Sequence, residues 1–408
     1  MGIKNKDLKR FCILAVVVLI AAAIAVLAFS WGPEESSGDN NQAGPAAGSE
    51  KDYFSSKALP EYAEGFEVEY HDNYKVLSII DPWGRESGNR TYLLVQKGTE
   101  VPAGYDDAAV FYIPVESVAA LSTTQIPHIA NIGEIDTIQI VSNIQYINNP
   151  EIIDRYDEGL IRDVSTADSS MTSGLDAEIL IDAEPDAVFV SAMENPDYDD
   201  SSKIRELGLK PALVSEYMEK TPLARAEWIK YFSLFYNREE EANALFDEIV
   251  SRYDNASAKA KGVSEKTTVF SGNDYYGTWY MPGGESYVAQ LIEDAGADYL
   301  WSDDNSTGSI PLDFEAVYDT AADADYWINM GTANTAGELL AEDERYSKFD
   351  AFQNDSIYNN NARVNEFGGN DYWESGVARP DLVLMDLIKI FHPDILPDHE
   401  LYYYRHIE

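Results

Sequence analysis

The feature that most narrows the fold is a helix–strand unit that occurs twice. Leu175-Asp-Ala-Glu-Ile-Leu-Ile-Asp-Ala-Glu-Pro-Asp-Ala187 aligns without gaps on Leu312-Asp-Phe-Glu-Ala-Val-Tyr-Asp-Thr-Ala-Ala-Asp-Ala324, 137 positions later. The shared pattern is L-D-x-E-x3-D-x3-D-A, and each copy runs into a β-rich stretch (VFV, YWIN). Asp176 and Asp313 are good helix N-caps, and Glu178 and Glu315 fall in the first turn, where a negative charge suits the helix dipole. Leu175 with Leu180, and Leu312 with Val317, have the spacing of a hydrophobic staple. Chance similarity of two helix–strand units is one reading. Two similar lobes in one chain is the other, and it organises the rest of the sequence.

From about residue 53 short β-rich runs alternate with helical patterns, the signature of an α/β architecture. Candidate strands are Lys75–Ile80, Arg90–Val95, Thr137–Val141, Ala187–Ser191, Thr267–Ser271 and Tyr326–Asn329. Between the two copies lies the most helical stretch. Asn237 and Glu240 have capping-box spacing, followed by Ala242, Leu245, Phe246, Ile249, Val250 and Tyr253 on one helical face. A helix over 238–261 would be about 36 Å long. The expected organisation is therefore two Rossmann-like α/β lobes, 53–237 and 262–408, joined by one long rigid helix at 238–261. Ligands bind in the cleft of such folds, at the carboxyl ends of the strands.

Residues 11–29 are 19 consecutive apolar residues after the basic run Lys4 to Arg10. About 20 residues cross a hydrocarbon core, and the preceding positive charge holds the N-terminus inside. Residues 1–30 thus read as an N-terminal transmembrane helix, or alternatively as a cleaved signal peptide. Both place the rest of the chain outside, at the cell surface. Residues 31–52, rich in Gly, Pro, Ser and acidic groups, read as a flexible linker. The lone Cys12 lies in the apolar run, so the remainder has no disulfide and no cysteine-based zinc site.

The formal net charge is −43. Such a surface repels nucleic acid, whose binding rests on exchanging phosphate counterions for Lys and Arg. It suits solubility in salt, where repulsion is screened. The five histidines, His71, His128, His392, His399 and His406, lack metal-ligand spacing, and no protein-bound cofactor or metal is expected. Three of them lie near the C-terminus, where a solvated surface is the default reading. There is also no G-x-S-x-G elbow, P-loop, dinucleotide fingerprint or cysteine nucleophile, so the chain is not expected to be an enzyme.

In their order and spacing several stretches resemble one family: the iron-siderophore, haem and vitamin B12 class of periplasmic substrate-binding proteins of ABC importers. They are Leu121-Ser-Thr-Thr124, Glu178…Pro185-Asp186-Ala-Val-Phe-Val, Pro222-Leu-Ala-Arg-Ala-Glu-Trp228, Ala295-Gly-Ala-Asp-Tyr-Leu-Trp301, Glu315…Ala324-Asp325-Tyr-Trp-Ile and Arg379-Pro-Asp-Leu-Val-Leu384. The resemblance covers about residues 67–408. It implies two α/β lobes on one helix, a small-molecule chelate as ligand (ferric siderophore first, corrinoid or haem next), and a membrane permease with its ATPase subunits as partner. It further implies that Glu178 and Glu315 dock on the permease; their bland reading is first-turn dipole partners. Departures are the additional β-rich runs in Phe66–Pro114, Gln125 where the family has His, and Ala324 in place of Pro. These bear on ligand identity rather than fold.

Aromatic residues concentrate where loops should follow strands: Trp83, Tyr275, Tyr276, Trp279, Tyr280, Trp301, Tyr372 and Trp373. Rigid rings bury a planar ligand at low entropy cost, and Arg379, with Arg85 and Arg90, offers bidentate partners for anionic groups. Core packing is the alternative fate of each ring. The Tyr275–Tyr280 cluster reads as a loop because Gly272, Gly277, Gly283 and Gly284 punctuate it. A surface sensor or adhesion protein on the same fold, or a surface enzyme, are the competing functional classes.

Overall fold

The computed structural model describes residues 52–81, 90–166, 174–192, 200–264 and 266–408. All belong to one compact unit, Lys51–Glu408. The expected N-terminal helix, the linker up to Lys51, and Trp83 and Arg85 lie outside the described residues. Among the described residues no helix is long and apolar enough to cross a membrane.

The chain is a mixed α/β protein built on two mainly parallel sheets. The first contains β5 (Val118–Ala120), β6 (Ile138–Val141), β7 (Arg162–Asp163), β8 (Ala187–Ser191) and β9 (Pro211–Val214) in the order β7-β6-β5-β8-β9, all parallel. The second contains β10 (Thr268–Ser271), β13 (Asp298–Tyr299), β15 (Tyr326–Ile328), β16 (Ile357–Asn359) and β17 (Arg405–His406) in the order β13-β10-β15-β16-β17, with only β17 antiparallel. Strands covered on both faces are apolar throughout, and β5 and β9 are buried at every position.

The duplicated unit occupies the same place in both sheets. The helices Ala177–Ala183 and Phe314–Ala321 begin at Asp176 and Asp313, whose carboxylates accept first-turn backbone N–H groups as expected of N-caps. The strands that follow, β8 and β15, lie beside β5 and β10. The gap-free alignment holds for the helices and slips by two residues at the strands, because the second helix and its turn are longer. Asp186 and Asp325 then become equivalent. Asp186 accepts from the Glu116 backbone N–H at 2.8 Å and Asp325 from that of Thr268 at 2.8 Å. Each pins the start of its strand to the start of the neighbouring one.

Two helices lie between the sheets in sequence. The helix Pro222–Tyr236 is buried at every position except Arg225, the pattern of a helix covered on all sides. One cover is a four-stranded sheet made by β1 (Phe66–Tyr70), β2 (Tyr74–Ile79), β3 (Arg90–Gln96) and β4 (Ala109–Ile113). Phe66 meets Trp228 and Tyr231 edge-on, and Phe111 meets Phe235. The second helix, Glu239–Ala260, has Ala242 and Phe246 in the core of the first sheet and Ile249, Tyr253, Ala256 and Ala260 in the core of the second. One amphipathic stripe thus serves two cores.

The capping box expected at Asn237 is not formed. Asn237 is instead the left-handed C-cap of the preceding helix (φ 56°), and Arg238, without a side-chain cap, starts the next. An Asn that tolerates the left-handed region ends a helix as readily as it begins one. The C-terminal histidines also depart from the solvated reading. His392 is buried with Nε2 3.1 Å from the Gly296 carbonyl, and His399 contacts the buried Asp386 at 2.6 Å.

Candidate functional site

The carboxyl ends of the two parallel sheets carry polar loops that meet. After β5, Ser122 and Thr124 share a hydrogen bond of 2.9 Å, and the Thr124 hydroxyl donates to Glu216, two residues beyond β9, at 2.5 Å. Burial pushes the Glu216 carboxyl up, against the lowering effect of the Thr124 hydroxyl. Glu216 Oε2 and the neighbouring Gln125 Nε2 have no hydrogen-bond partner among the described residues. A polar, incompletely satisfied floor at this position suits a binding site better than a packed core.

On the second sheet asparagines hold the corresponding loops. Asn329, in the left-handed region (φ 60°), donates to Ser271 Oγ at 3.1 Å and accepts from the Tyr404 hydroxyl at 2.8 Å. Asn359 Nδ2 donates to the Gly331 and Ala333 carbonyls. Asn329 thus ties the end of β15 to that of β10 through a side-chain hydroxyl, and Asn359 ties the end of β16 to the main chain after β15.

A strap ties the loop after β6 to the segment after β16. Glu374, almost fully buried, accepts from the backbone N–H groups of Asn148 (2.6 Å) and Asn149 (3.0 Å) at the start of the helix Pro150–Asp157. Burial, reinforced by Asp371, pushes its carboxyl up to about 7, while the bonds from Asn148 and Asn149 act the other way. Asn365 Nδ2 donates to the Gln145 and Ile147 carbonyls. Gly369 packs so closely that a Cβ there would lie 2.2 Å from the Tyr146 carbonyl oxygen. A second bridge is the Arg225 guanidinium, 4.2 Å above the ring of Tyr287.

The residues singled out from the sequence separate by depth. Tyr275–Tyr280 is a β-hairpin rather than a loop: β11 (Asp274–Tyr275) pairs with β12 (Thr278–Pro282), which pairs with β14 (Ser309–Leu312). Alternation along β12 turns Trp279 into the core, where its Nε1 donates to the Ser271 carbonyl, and leaves Tyr280 outside. Tyr275 and Tyr276 are exposed at the tip, Trp373 is half-exposed and Trp301 half-buried. Tyr372 is wholly buried, its hydroxyl 3.3 Å from that of Tyr287. Trp279 and Tyr372 therefore belong to the core rather than to an open surface. Arg379 is held by both oxygens of the buried Asp381, at 2.9 and 2.8 Å, so its fork is already occupied. Arg90 lies on the four-stranded sheet and lines a separate cavity with Glu69, Tyr105 and Lys210. Glu178 and Glu315 are both exposed in first turns, and Glu315 accepts from Arg345 Nη1 at 3.3 Å.

Glu216, Glu374, Asn148 and Asn365 were not legible in advance. Their roles arise between segments up to 226 residues apart. Among the described residues no group of three or more His, Cys, Asp or Glu side chains is placed to hold a metal ion.

Residues 118–363 match the family model described as periplasmic binding protein, and the chain belongs to that family. The match begins just past the four-stranded sheet, so that sheet is an addition to the matched region; the resemblance read from the sequence extended further, over 67–408. Two uncharacterised lipoproteins of Methanocaldococcus jannaschii are each 26% identical to it, covering 82% and 85% of this chain and 78% and 86% of their own. The fold is shared with a possible iron-binding, periplasmic solute-binding protein of Staphylococcus epidermidis (TM-score 0.53, 17% identity, 68% of this chain and 99% of that one). It is shared too with CeuE of Helicobacter pylori, solved in a nickel–histidine complex (TM-score 0.53, 15% identity, 79% and 90%).

Proposed function

We propose that this protein is the extracytoplasmic receptor of an ABC importer, capturing a metal chelate and delivering it to a membrane permease. The observation that carries the reading is the meeting of strand-end loops from two parallel sheets, where Asn148 and Asn149 after β6 bond to Glu374 after β16. Ferric siderophores are the first candidates, corrinoids and haem the next. The solved relatives support that class, being described as iron-binding or crystallised with nickel.

In this reading the organisation is an N-terminal anchor (1–30), a linker (31–52), lobes at 53–237 and 262–408, and a strut at 238–261. The helix Glu239–Ala260 shares its stripe between both cores, so large hinge motion would break packing on one side, and closure is small. The exposed rings of Tyr275, Tyr276, Tyr280 and Trp373, with Trp301, fold onto the ligand. Glu178 and Glu315, one on each copy of the repeat, orient the loaded protein on the permease, whose ATPases drive release. Charge pairs of this kind govern encounter and register more than affinity. The apolar segment 11–29 and the lipoprotein relatives favour a tethered location on the outer face of the cell membrane. No bond is made or broken in this cycle.

The test is fluorescence quenching of the purified chain by a panel of ferric siderophores, haemin and cobalamin. Saturable one-to-one quenching by one chelate is the expected result. Absence of binding across the panel would overturn the proposal.

A further inference from the structure

The carboxyl ends of β10 and β15, the two inner strands of the second sheet's parallel run, open into a cavity of about 620 Å³ whose lining includes Asp274, Tyr275, Tyr276, Gly331, Glu342 and Tyr346. That volume is in the range of small-ligand pockets. The exposed rings are the first unusual feature. Tyr276 is 92% and Tyr275 61% exposed, with centroids 4.7 Å apart and planes at 77°. Large ring faces left open on a hairpin that is anchored by the buried Trp279 are preformed contact surface.

Carboxylates dominate the lining around these rings, with Asp274, Glu342 and Asp343 on it. Asp274 uses one oxygen to accept the Gly277 N–H at 2.6 Å, and Glu342 accepts from Asn273 Nδ2 at 2.9 Å. Neither forms an ion pair among the described residues. Arg345 is near enough for its charge to act on Asp274, but the carboxylates it bonds are those of Asp343 and Glu315. Arg345 is taken by both oxygens of Asp343, reaches Glu315 and lies 3.9 Å above the ring of Phe314. Arg225 donates to the Tyr217 and Glu219 carbonyls, Arg363 to Asp371 and Arg379 to Asp381. Arg345, Arg363 and Arg379 thus each give at least one donor to a carboxylate of the protein, and Arg225 gives two to main-chain carbonyls. Open ring faces beside unpaired carboxylates attract a cation through both the ring quadrupole and direct Coulomb attraction. The chain's net charge of −43 adds a field of the same sense.

We infer that this cavity receives a positively charged group of the captured ligand, so that the chelate carries an alkylammonium or equivalent cationic centre. This rests on the capture reading and narrows it to a ligand class. Tyr275 and Tyr276 supply the ring faces, and Asp274 and Glu342 the countercharge.

The test compares three probes with the full chain: a ferric trihydroxamate bearing a free alkylammonium, the same chelate with that amine acetylated, and a ferric tricatecholate. The ammonium chelate is expected to bind about tenfold tighter than its acetylated form, the scale of one desolvated cation–ring contact. Asp274→Asn combined with Glu342→Gln should erase that preference while leaving affinity for the acetylated form unchanged, which a general loss of structure would not do. Equal binding of the two hydroxamates, or tighter binding of the tricatecholate, would overturn the charge inference and leave capture intact. No binding by any probe would remove both.

Discussion

Lys75 on β2 and Glu239 at the start of the long helix form an ion pair buried on both sides. The Lys75 Nζ also donates to the Leu234 carbonyl at 2.7 Å and to Asn237 Oδ1 at 3.0 Å. One ammonium therefore closes the C-terminus of the helix Pro222–Tyr236 and meets a carboxylate at the N-terminus of the next, favourable ends for each charge. The four-stranded sheet, outside the family match, thereby fixes the corner between the two helices. Lys75 sits there because alternation along β2 turns it inward with Leu77 and Ile79.

Lys75→Met should cost about 3–5 kcal/mol of stability, because it strands a buried carboxylate and helix-end carbonyls. Adding Glu239→Gln should recover part of that loss. Urea denaturation of both single variants and the double checks this, and a double-variant loss equal to the sum of the two single losses would show that the pair is uncoupled.

The Glu374 strap carries a pH signature. Its carboxyl is raised from the ordinary range to about 7, chiefly by burial, so the folded state binds a proton that the unfolded state has released. Its contribution is complete below about pH 4.5 and is lost as pH rises through 7, up to about 3 kcal/mol in all. The pH dependence of stability between 5 and 8 should accordingly flatten in Glu374→Gln. An unchanged profile would assign the dependence to other groups.

Gly369→Ala tests the same contact sterically, since the added Cβ would lie 2.2 Å from the Tyr146 oxygen. Small-angle scattering should show a larger radius of gyration than the wild type, and chelate affinity should fall with it. An unchanged radius and affinity would mean that the strap yields without opening the joint.

Charge reversal at both Glu178 and Glu315 should abolish uptake in cells and leave chelate affinity intact. Both side chains are exposed, and among the described residues only Glu315 has an ionic partner, Arg345. Loss of affinity instead would refute their assignment to docking.

Tyr276→Ala should weaken chelate binding about tenfold while changing stability by less than about 0.5 kcal/mol, because a residue 92% exposed contributes little to packing. A thermal melt beside the titration separates the two effects. An unchanged affinity would remove Tyr276 from the site.

The repeat, the strands and the long helix could be read from the chain because each rests on local physics. Asp176 and Asp313 cap their own helices, β8 and β15 are short apolar runs, and the stripe from Ala242 to Tyr253 follows the helical period. What the tertiary structure alone decided is which polar groups are free. Tyr275 and Trp279 look alike in sequence, yet strand alternation exposes one and buries the other. Arg379 looked available and is occupied by Asp381, whereas Glu374 gave no local sign and joins two segments 226 residues apart. Short-range order is written in neighbouring residues, but desolvation and pairing depend on what the distant chain brings alongside, and those two effects set the chemistry of the site.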